Sequence, residues 1–454
     1  MAEAARFGPV VPALIVDGRR ESALRASPRR AAFYCGAVRS LAGDLAAKGA
    51  PLVVRRGPYA STARRLAREL GAKAVVWSAG FDGAAQRADR DLQSVLEEGG
   101  FRAVAVADAP AVGLDESDAA RSGGGSGYRS YPAYVQAWRA LAQPPEAPPA
   151  ALATVGVAGE ALPEPAEFGS PEPPEPSAGA AAAQRTLDDF LAAPALHYAA
   201  ARTVPSVAGT SRLGAHLSFG TIAARTIRRR LAARSADPFL LAEERWSLQS
   251  FGDALARRDF FLQLAWFSQS GDLPLQSKMR DFPFARSHRL LDAWLEGRTG
   301  YPLVDAGMRE LRATGWMHPH VRLVAASFCC FDLGVDWRVG RDAWDRWLVE
   351  DDRAVATGNW QWVAGVGADL AAYPRIYNPQ KQARRVDPSA AYVRTWIPEL
   401  ASLPAAEILD PPARAGRPQL MLPMFDGAAY PLPVVDHAAV ASAFLQRYGE
   451  YARR

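Results

Sequence analysis

Between Trp294 and Gln382 the chain gathers side chains that can move electrons. Trp337 stands in Asp336-Trp-Arg, and Trp360 and Trp362 stand in Asn359-Trp-Gln-Trp-Val-Ala-Gly. Stacked indole rings can pass a positive hole from one to the next. The alternative is core filling, which accounts for most of the 12 Trp and is the reading given to Trp344 and Trp347. Charged groups of both signs stand at Arg258, Arg322, Glu350 and Asp352. Charged side chains that enter a core should come paired, although Glu350-Asp-Asp also reads as a solvated acidic turn. Thr210 and Ser211 precede a helical run. Their hydroxyls and N–H groups can meet a pyrophosphate at a helix N-terminus or serve as a plain cap. His318 and His320 have no third ligand beside them, so no metal site is assigned.

The elements that must position these groups fall into two styles. Residues 10 to 142 alternate short apolar runs with amphipathic patterns. Val10–Asp17, Pro51–Arg56, Ala72–Ser78 and Phe101–Asp108 are predicted as buried parallel strands. Segments 30–48, 60–70 and 84–98 are predicted helices, and the alternation implies a parallel α/β sheet of Rossmann-like type. Gly123–Gly127 reads as a flexible loop without the G-x-G-x-x-G spacing of a nucleotide fingerprint. Residues 143–185 are rich in Pro, Ala and Glu, which predicts an interdomain linker, partly disordered or extended. From 186 to 454 the patterns are almost all helical. Pro302 and Pro319 fit first-turn positions, and Gly315 and Gly334 fit helix ends.

A chain of 454 residues exceeds one core and predicts at least two domains. The net charge of +5 is carried almost wholly by Arg, with Lys only at 48, 73, 278 and 381. Arg suits phosphate, but Ala, Arg, Gly and Pro rise together, as a GC-rich genome alone would produce. Three cysteines (Cys35, Cys329, Cys330) cannot build a disulfide framework, an all-cysteine zinc site or an all-cysteine iron–sulfur cluster. No apolar run is long enough for a membrane span, and the N-terminus has no signal-peptide pattern. The expectation is a cytoplasmic protein with no membrane partner, acting as a monomer.

Several longer motifs carry a family likeness. Tyr198-Ala-Ala-Ala-Arg202-Thr-Val-Pro, Gly209-Thr-Ser-Arg-Leu-Gly-Ala-His-Leu-Ser-Phe-Gly, Trp294-Leu-Glu-Gly-Arg-Thr-Gly-Tyr-Pro-Leu-Val-Asp-Ala-Gly-Met, Arg375-Ile-Tyr-Asn-Pro and Tyr430-Pro-Leu-Pro-Val-Val-Asp-His resemble the DNA photolyase and cryptochrome family. The resemblance covers nearly the whole chain and implies FAD as cofactor, blue-light chemistry and DNA containing pyrimidine dimers as substrate. It implies flavin contacts at Tyr198, Thr210, Ser211, Arg212, Leu213, Gly214, Arg258, Arg322, Glu350, Asp352 and Ala356. It makes Trp360 and Trp337 the inner members of an electron-hopping chain. The outermost member falls on Phe284, a poor hole carrier, which points to rerouting through Trp294. Trp362 and Gln382 match lesion-facing positions.

The chain also departs from the family pattern. Ala254 and Arg257 stand where the lesion pocket has Glu and Trp, and Pro319-His320 replaces an Asn-Arg pair. Arg257 could stack on a base or pair with phosphate, and His320 is weighed as a proton donor against a structural role. Ala356 takes the place of the Asn that faces the flavin, with Thr357 or Asn359 as substitutes. The family's first strand has no counterpart before Val10, so its place in the sheet is empty unless a segment outside this sequence or another part of it fills the gap. A second, antenna chromophore is left open. Light-driven repair of cyclobutane pyrimidine dimers is the leading expectation, with a cryptochrome-like photoreceptor or other non-repairing flavoprotein as the alternative.

Overall fold

The computed structural model describes residues 1–119, 127–143, 151–153, 157–268, 271–276, 279, 281–285, 289–368, 374–410 and 430–453. The Gly123–Gly127 loop therefore lies outside the described residues except at Gly127. The four predicted strands form as β1 (Ala13–Val16), β2 (Val53–Arg56), β3 (Ala74–Ser78) and β4 (Arg102–Val106). Helices α1 (Pro28–Ala47), α2 (Tyr59–Glu69) and α3 (Gly83–Glu98) fall where the amphipathic patterns placed them. Ser27 caps α1 by accepting from the Arg30 N–H, and Asp82 caps α3 through the N–H groups of Ala84 and Ala85, each satisfying donors the helix leaves open.

The strands pair in parallel, but as two separate ribbons. β1 pairs with β2 from Ala13↔Val53 to Val16↔Arg56, and β3 pairs with β4 from Ala74↔Arg102 to Ser78↔Val106. A large cleft separates the ribbons, and Ala13, Leu14 and Ile15 of β1 face Ala74–Ser78 of β3 across it, with Ala4 and Phe7 at its rim. The empty place expected in the sheet is therefore a gap between β1 and β3.

The segment read as a linker is more ordered than its composition suggests. Among its described residues, Glu160 donates its N–H to Val54 O at 3.0 Å, and Glu175 donates to Ala32 O at 2.9 Å. Phe168 is buried in the core of the α/β domain. Gly36 of α1 allows the approach, since a Cβ there would stand 2.1 Å from the Glu175 carbonyl oxygen. Proline and alanine lower the entropy lost on ordering an extended strap, and that offsets its lack of large apolar side chains.

The second domain is helical. Its named elements here are α4 (Ala242–Ser268), α5 (Pro302–Thr314), α6 (Pro319–Ser327), α7 (Trp337–Trp344), α8 (Arg353–Ala364) and α9 (Pro379–Val386). Pro302 and Pro319 occupy first-turn positions. Gly315 ends α5 with φ 71°, and Gly334 has φ 66°, conformations that a side chain makes costly. The largest core centres on Trp294, Phe328 and Trp337, all fully buried. Between α6 and α7 the chain makes one π-helical turn at Phe328–Asp332.

Candidate flavin site

A cleft with about 1160 Å³ of empty space opens among α4, α6, α7 and α8. Its walls include Gly214, Arg258, Arg322, Glu350, Asp352, Ala356 and Trp360, so seven of the residues singled out in the sequence meet in one place. Gly214 is required there, because a Cβ would stand 2.4 Å from Glu350 Oε1.

The acidic run at 350–352 is not a solvated turn. Glu350 accepts two bonds from Arg322, at 2.7 and 3.1 Å. Asp351 pairs with Arg20 from the α/β domain. Asp352 lies 3.5 Å from Arg258 Nη2 and caps α8 by accepting from the Val355 N–H at 3.1 Å. Burial raises the Asp352 pKa, against the opposing pull of Arg258. Fully buried Arg30 donates through Nη2 to the carbonyls of Leu348 and Glu350, both at 3.1 Å, and to Asp345 Oδ1 at 2.7 Å. The α/β domain thus sets the position of the acidic wall.

The two domains are pinned at a second point beside Arg258. Asp259, fully buried, accepts from the Ala111 N–H at 2.8 Å and from Trp138 Nε1 at 2.9 Å. Burial pushes its pKa up to about 6. Arg258 itself donates to Ala109 O at 2.9 Å, which fixes the guanidinium that faces the cleft.

Thr210, Ser211, Arg212 and Leu213 do not line this cleft. The short helix that follows begins at Gly214 with Leu213 at its cap, and no side chain caps it. The plain-cap alternative for Thr210 and Ser211 therefore fails. Ser211 Oγ instead accepts from the Leu213 N–H at 3.5 Å. Arg212 has φ 52° and stacks its guanidinium 4.1 Å from the Trp316 ring, and Leu213 is buried.

Tyr198 also belongs elsewhere. It packs edge-on against Phe251 at 5.5 Å, and its phenol feels Arg202 and Arg257. Arg257 stands 4.0 Å over the Tyr131 ring, and Arg375 stands 4.1 Å over Trp362. His320 Nε2 lies 3.0 Å from Gln382 Oε1 and 3.2 Å from Arg385 Nη2. One tautomer donates to the amide and the other accepts from the guanidinium. Burial lowers the His320 pKa, which favours the neutral ring. Arg202 and Arg385 thus stand by His320 and Gln382, Arg257 shares Tyr198 with Arg202, and Arg375 covers Trp362; these make up a second, basic group of residues, none of which lines the flavin cleft.

Sequence reasoning missed several cleft residues. Arg341 lines it, held by Asp272 at 2.6 and 2.9 Å and by Thr357 Oγ1 at 2.9 Å. Thr357 is therefore turned to Arg341, whereas Asn359 lines the cleft and donates to Val355 O at 2.9 Å. Trp344, read as core filler, also faces the cleft. Its position one heptad after Trp337, and so on nearly the same side of α7, was the available signal.

The donor set fits a flavin dinucleotide: guanidinium groups for phosphate, carboxylates for ribityl hydroxyls or ring N–H groups, and an apolar wall of Leu217, Leu323 and Val363 for a flat ring. An α/β domain docked on a helical domain that holds such a cleft defines a flavoprotein class. Residues 1–152 match the DNA photolyase family model, and residues 251–450 match the model for the FAD binding domain of DNA photolyase. The chain is 34% identical over 453 residues to the deoxyribodipyrimidine photo-lyase of Halobacterium salinarum, covering 95% of this chain and 89% of that protein. A class III photolyase from Agrobacterium tumefaciens superposes with a TM-score of 0.84 at 28% identity, covering 98% of this chain and 93% of the other. A Synechocystis cryptochrome shares the fold with a TM-score of 0.83 at 24% identity, covering 97% and 93%. The chain belongs to the DNA photolyase and cryptochrome family, and its helical domain is a FAD-binding domain.

Proposed function

We propose that the protein is a FAD-dependent photolyase that uses light to split cyclobutane pyrimidine dimers in DNA. The observation that carries this reading is the charge-paired flavin cleft, with Trp360 in its wall and Trp362, under the Arg375 guanidinium, two residues further along α8. When bound, reduced and photoexcited, FAD supplies an electron to the dimer and recovers it after the ring opens. Arg258 and Arg322 would hold the phosphates and ring edge, while Glu350 and Asp352 would accept from the sugar chain and ring.

Toward DNA, Arg257, Arg375 and Arg385 supply positive charge for phosphate, and Trp362 supplies a stacking face for an extruded base, the route such enzymes take to reach a lesion. Gln382 and His320 offer hydrogen bonds to base edges, with His320 in reach of a proton transfer. No described helix is long and apolar enough to cross a membrane. The reading places a monomer in the cytoplasm, where its DNA substrate would be met.

One observation favours a second reading, a cryptochrome-like receptor without repair. Ala254 and Arg257 offer neither the carboxylate nor the indole that the family's lesion pocket uses, and Arg257 is already stacked on Tyr131. Illumination of the reduced holoprotein with a thymine-dimer oligonucleotide separates the two. Loss of dimers supports repair. Persistence of dimers under light that still photoreduces the flavin rejects repair in favour of the receptor.

A further inference from the structure

Arg30 lies on α1 of the α/β domain and is fully buried, yet it does not line the flavin cleft. Its Nη2 meets four oxygens from one loop of the helical domain. These are Asp345 Oδ1 at 2.7 Å, Asp345 O at 2.9 Å, and the carbonyls of Leu348 and Glu350, both at 3.1 Å. Asp345, Leu348 and Glu350 all line the flavin cleft. One nitrogen with two hydrogens cannot serve four oxygens by directed bonds alone, so charge holds this cage as much as hydrogen bonding does. The cage also closes on the C-terminal end of α7, where Asp345 is the cap and the helix dipole favours a cation. Glu350 is therefore gripped twice, its carbonyl by Arg30 and its carboxylate by Arg322. The two grips come from different domains. Arg228 offers an internal contrast. It too is buried, and it donates to Trp138 O and Leu141 O at 2.9 and 2.6 Å, but neither of those residues lines the cleft.

We propose that Arg30 is a positioning residue for the flavin: through the cage on Nη2 the α/β domain sets the affinity and the reduction potential of bound FAD. This rests on the assignment of FAD to the cleft. Two effects act together. The first is geometric. The caged loop carries Glu350 into its pair with Arg322, and a loosened loop lets that carboxylate drift from the cofactor. The second is electrostatic. Asp345 is a half-exposed carboxylate in the cleft wall, and Arg30 matches its charge. Without Arg30 the wall holds an unmatched negative charge, and reduction, which adds negative charge to the ring, becomes harder.

FAD titration and spectroelectrochemistry of the full chain test this, with Arg30→Met, Arg30→Lys, Asp345→Asn and Arg228→Met compared. Arg30→Met should weaken FAD binding about tenfold or more and lower the reduction potential of the flavin. Arg30→Lys keeps the charge without the fork, so it should restore the potential more fully than the affinity. Asp345→Asn keeps the test open should Arg30→Met fail to fold. A carboxylate that merely faced the cofactor would, once removed, tighten the binding of anionic FAD. As one anchor of the cage, Asp345 should instead weaken FAD binding when replaced, while the potential rises. In the Arg30→Met background the same change should cost no further affinity, because both residues act through one loop. Arg228→Met should lower the denaturant midpoint with FAD affinity and potential unchanged. Wild-type affinity and potential in Arg30→Met overturn the proposal, as does tighter FAD binding in Asp345→Asn. Equal effects of Arg30→Met and Arg228→Met on the flavin also overturn it, because Arg30 would then only join the domains. Wild-type protein that takes up no FAD overturns the cofactor assignment instead.

Discussion

The flavin cleft and the basic group beside it use arginine in opposite ways. In the cleft, Arg322 and Arg258 are matched to Glu350 and Asp352, and behind its wall Arg20 is matched to Asp351. In the basic group, Arg257 and Arg375 lie on aromatic rings and Arg385 bonds to Gln382. No carboxylate among the described residues pairs with these three. Matched charge holds a cofactor in a set geometry at little electrostatic cost. Unmatched charge leaves a field that a phosphate backbone can neutralise. The two regions are thus built for a resident ligand and for a visiting one.

The sharpest way to separate them is Trp360→Phe. Photoreduction of bound FAD should be lost, while affinity for dimer-containing DNA, read by gel shift, stays as it was. Retained photoreduction would mean that Trp344 donates directly. Next in size is Arg322→Met, which leaves Glu350 half-buried without its bidentate partner at about 2–3 kcal/mol. Denaturant melts should show that loss together with release of FAD; intact FAD content would remove Arg322 from the cofactor's contacts. Gly340→Ala puts a Cβ 2.4 Å from the Trp360 ring. Overpacking of that kind costs about 1–3 kcal/mol and should slow photoreduction without touching DNA affinity.

On the other side of the comparison, Arg375→Ala should lower the salt dependence of DNA binding by about one phosphate's worth of slope, with unchanged flavin content. A slope equal to wild type would place Arg375 off the DNA path. The smallest effect is one of pH. Burial, with His320, Arg322 and Arg212 nearby, lowers the His318 pKa from 6.5 to about 4. Between those values the unfolded chain binds a proton that the folded one refuses, so stability falls as pH drops from 6.5 toward 4. His318→Asn keeps a side-chain acceptor at the α6 cap and should flatten that part of the stability–pH curve. Parallel curves for the two proteins would refute the assignment.

Much of this was legible in the sequence, for physical reasons. β1 to β4 could be found because apolar runs bounded by Gly, Pro and Asp have few other uses. Pro302, Pro319 and Gly315 mark helix ends because backbone geometry leaves them little choice. Arg258, Arg322, Glu350 and Asp352 were found through a family likeness that also set Arg322 against one of the acids, whereas the parts of Arg20 and Arg30 were not visible, because both arrive from the other domain. Trp344 was lost because an indole that fills a core and one that faces a cofactor have the same spacing. The strap at 157–178 was legible only as a linker, partly disordered or extended, because its order comes from backbone bonds to α1 and β2, which composition does not record.

The gap between β1 and β3 bears on how the molecule opens rather than on what it binds. Strands that share no ladder bonds do not protect one another, so each ribbon should exchange its amide hydrogens as a separate cooperative unit. The β1–β2 ribbon, sealed on its outer edge by Glu160, and the β3–β4 ribbon, carried with α3, would then report different opening free energies within one domain. Such a domain breathes along a seam, and whatever enters that seam would fuse two units into one.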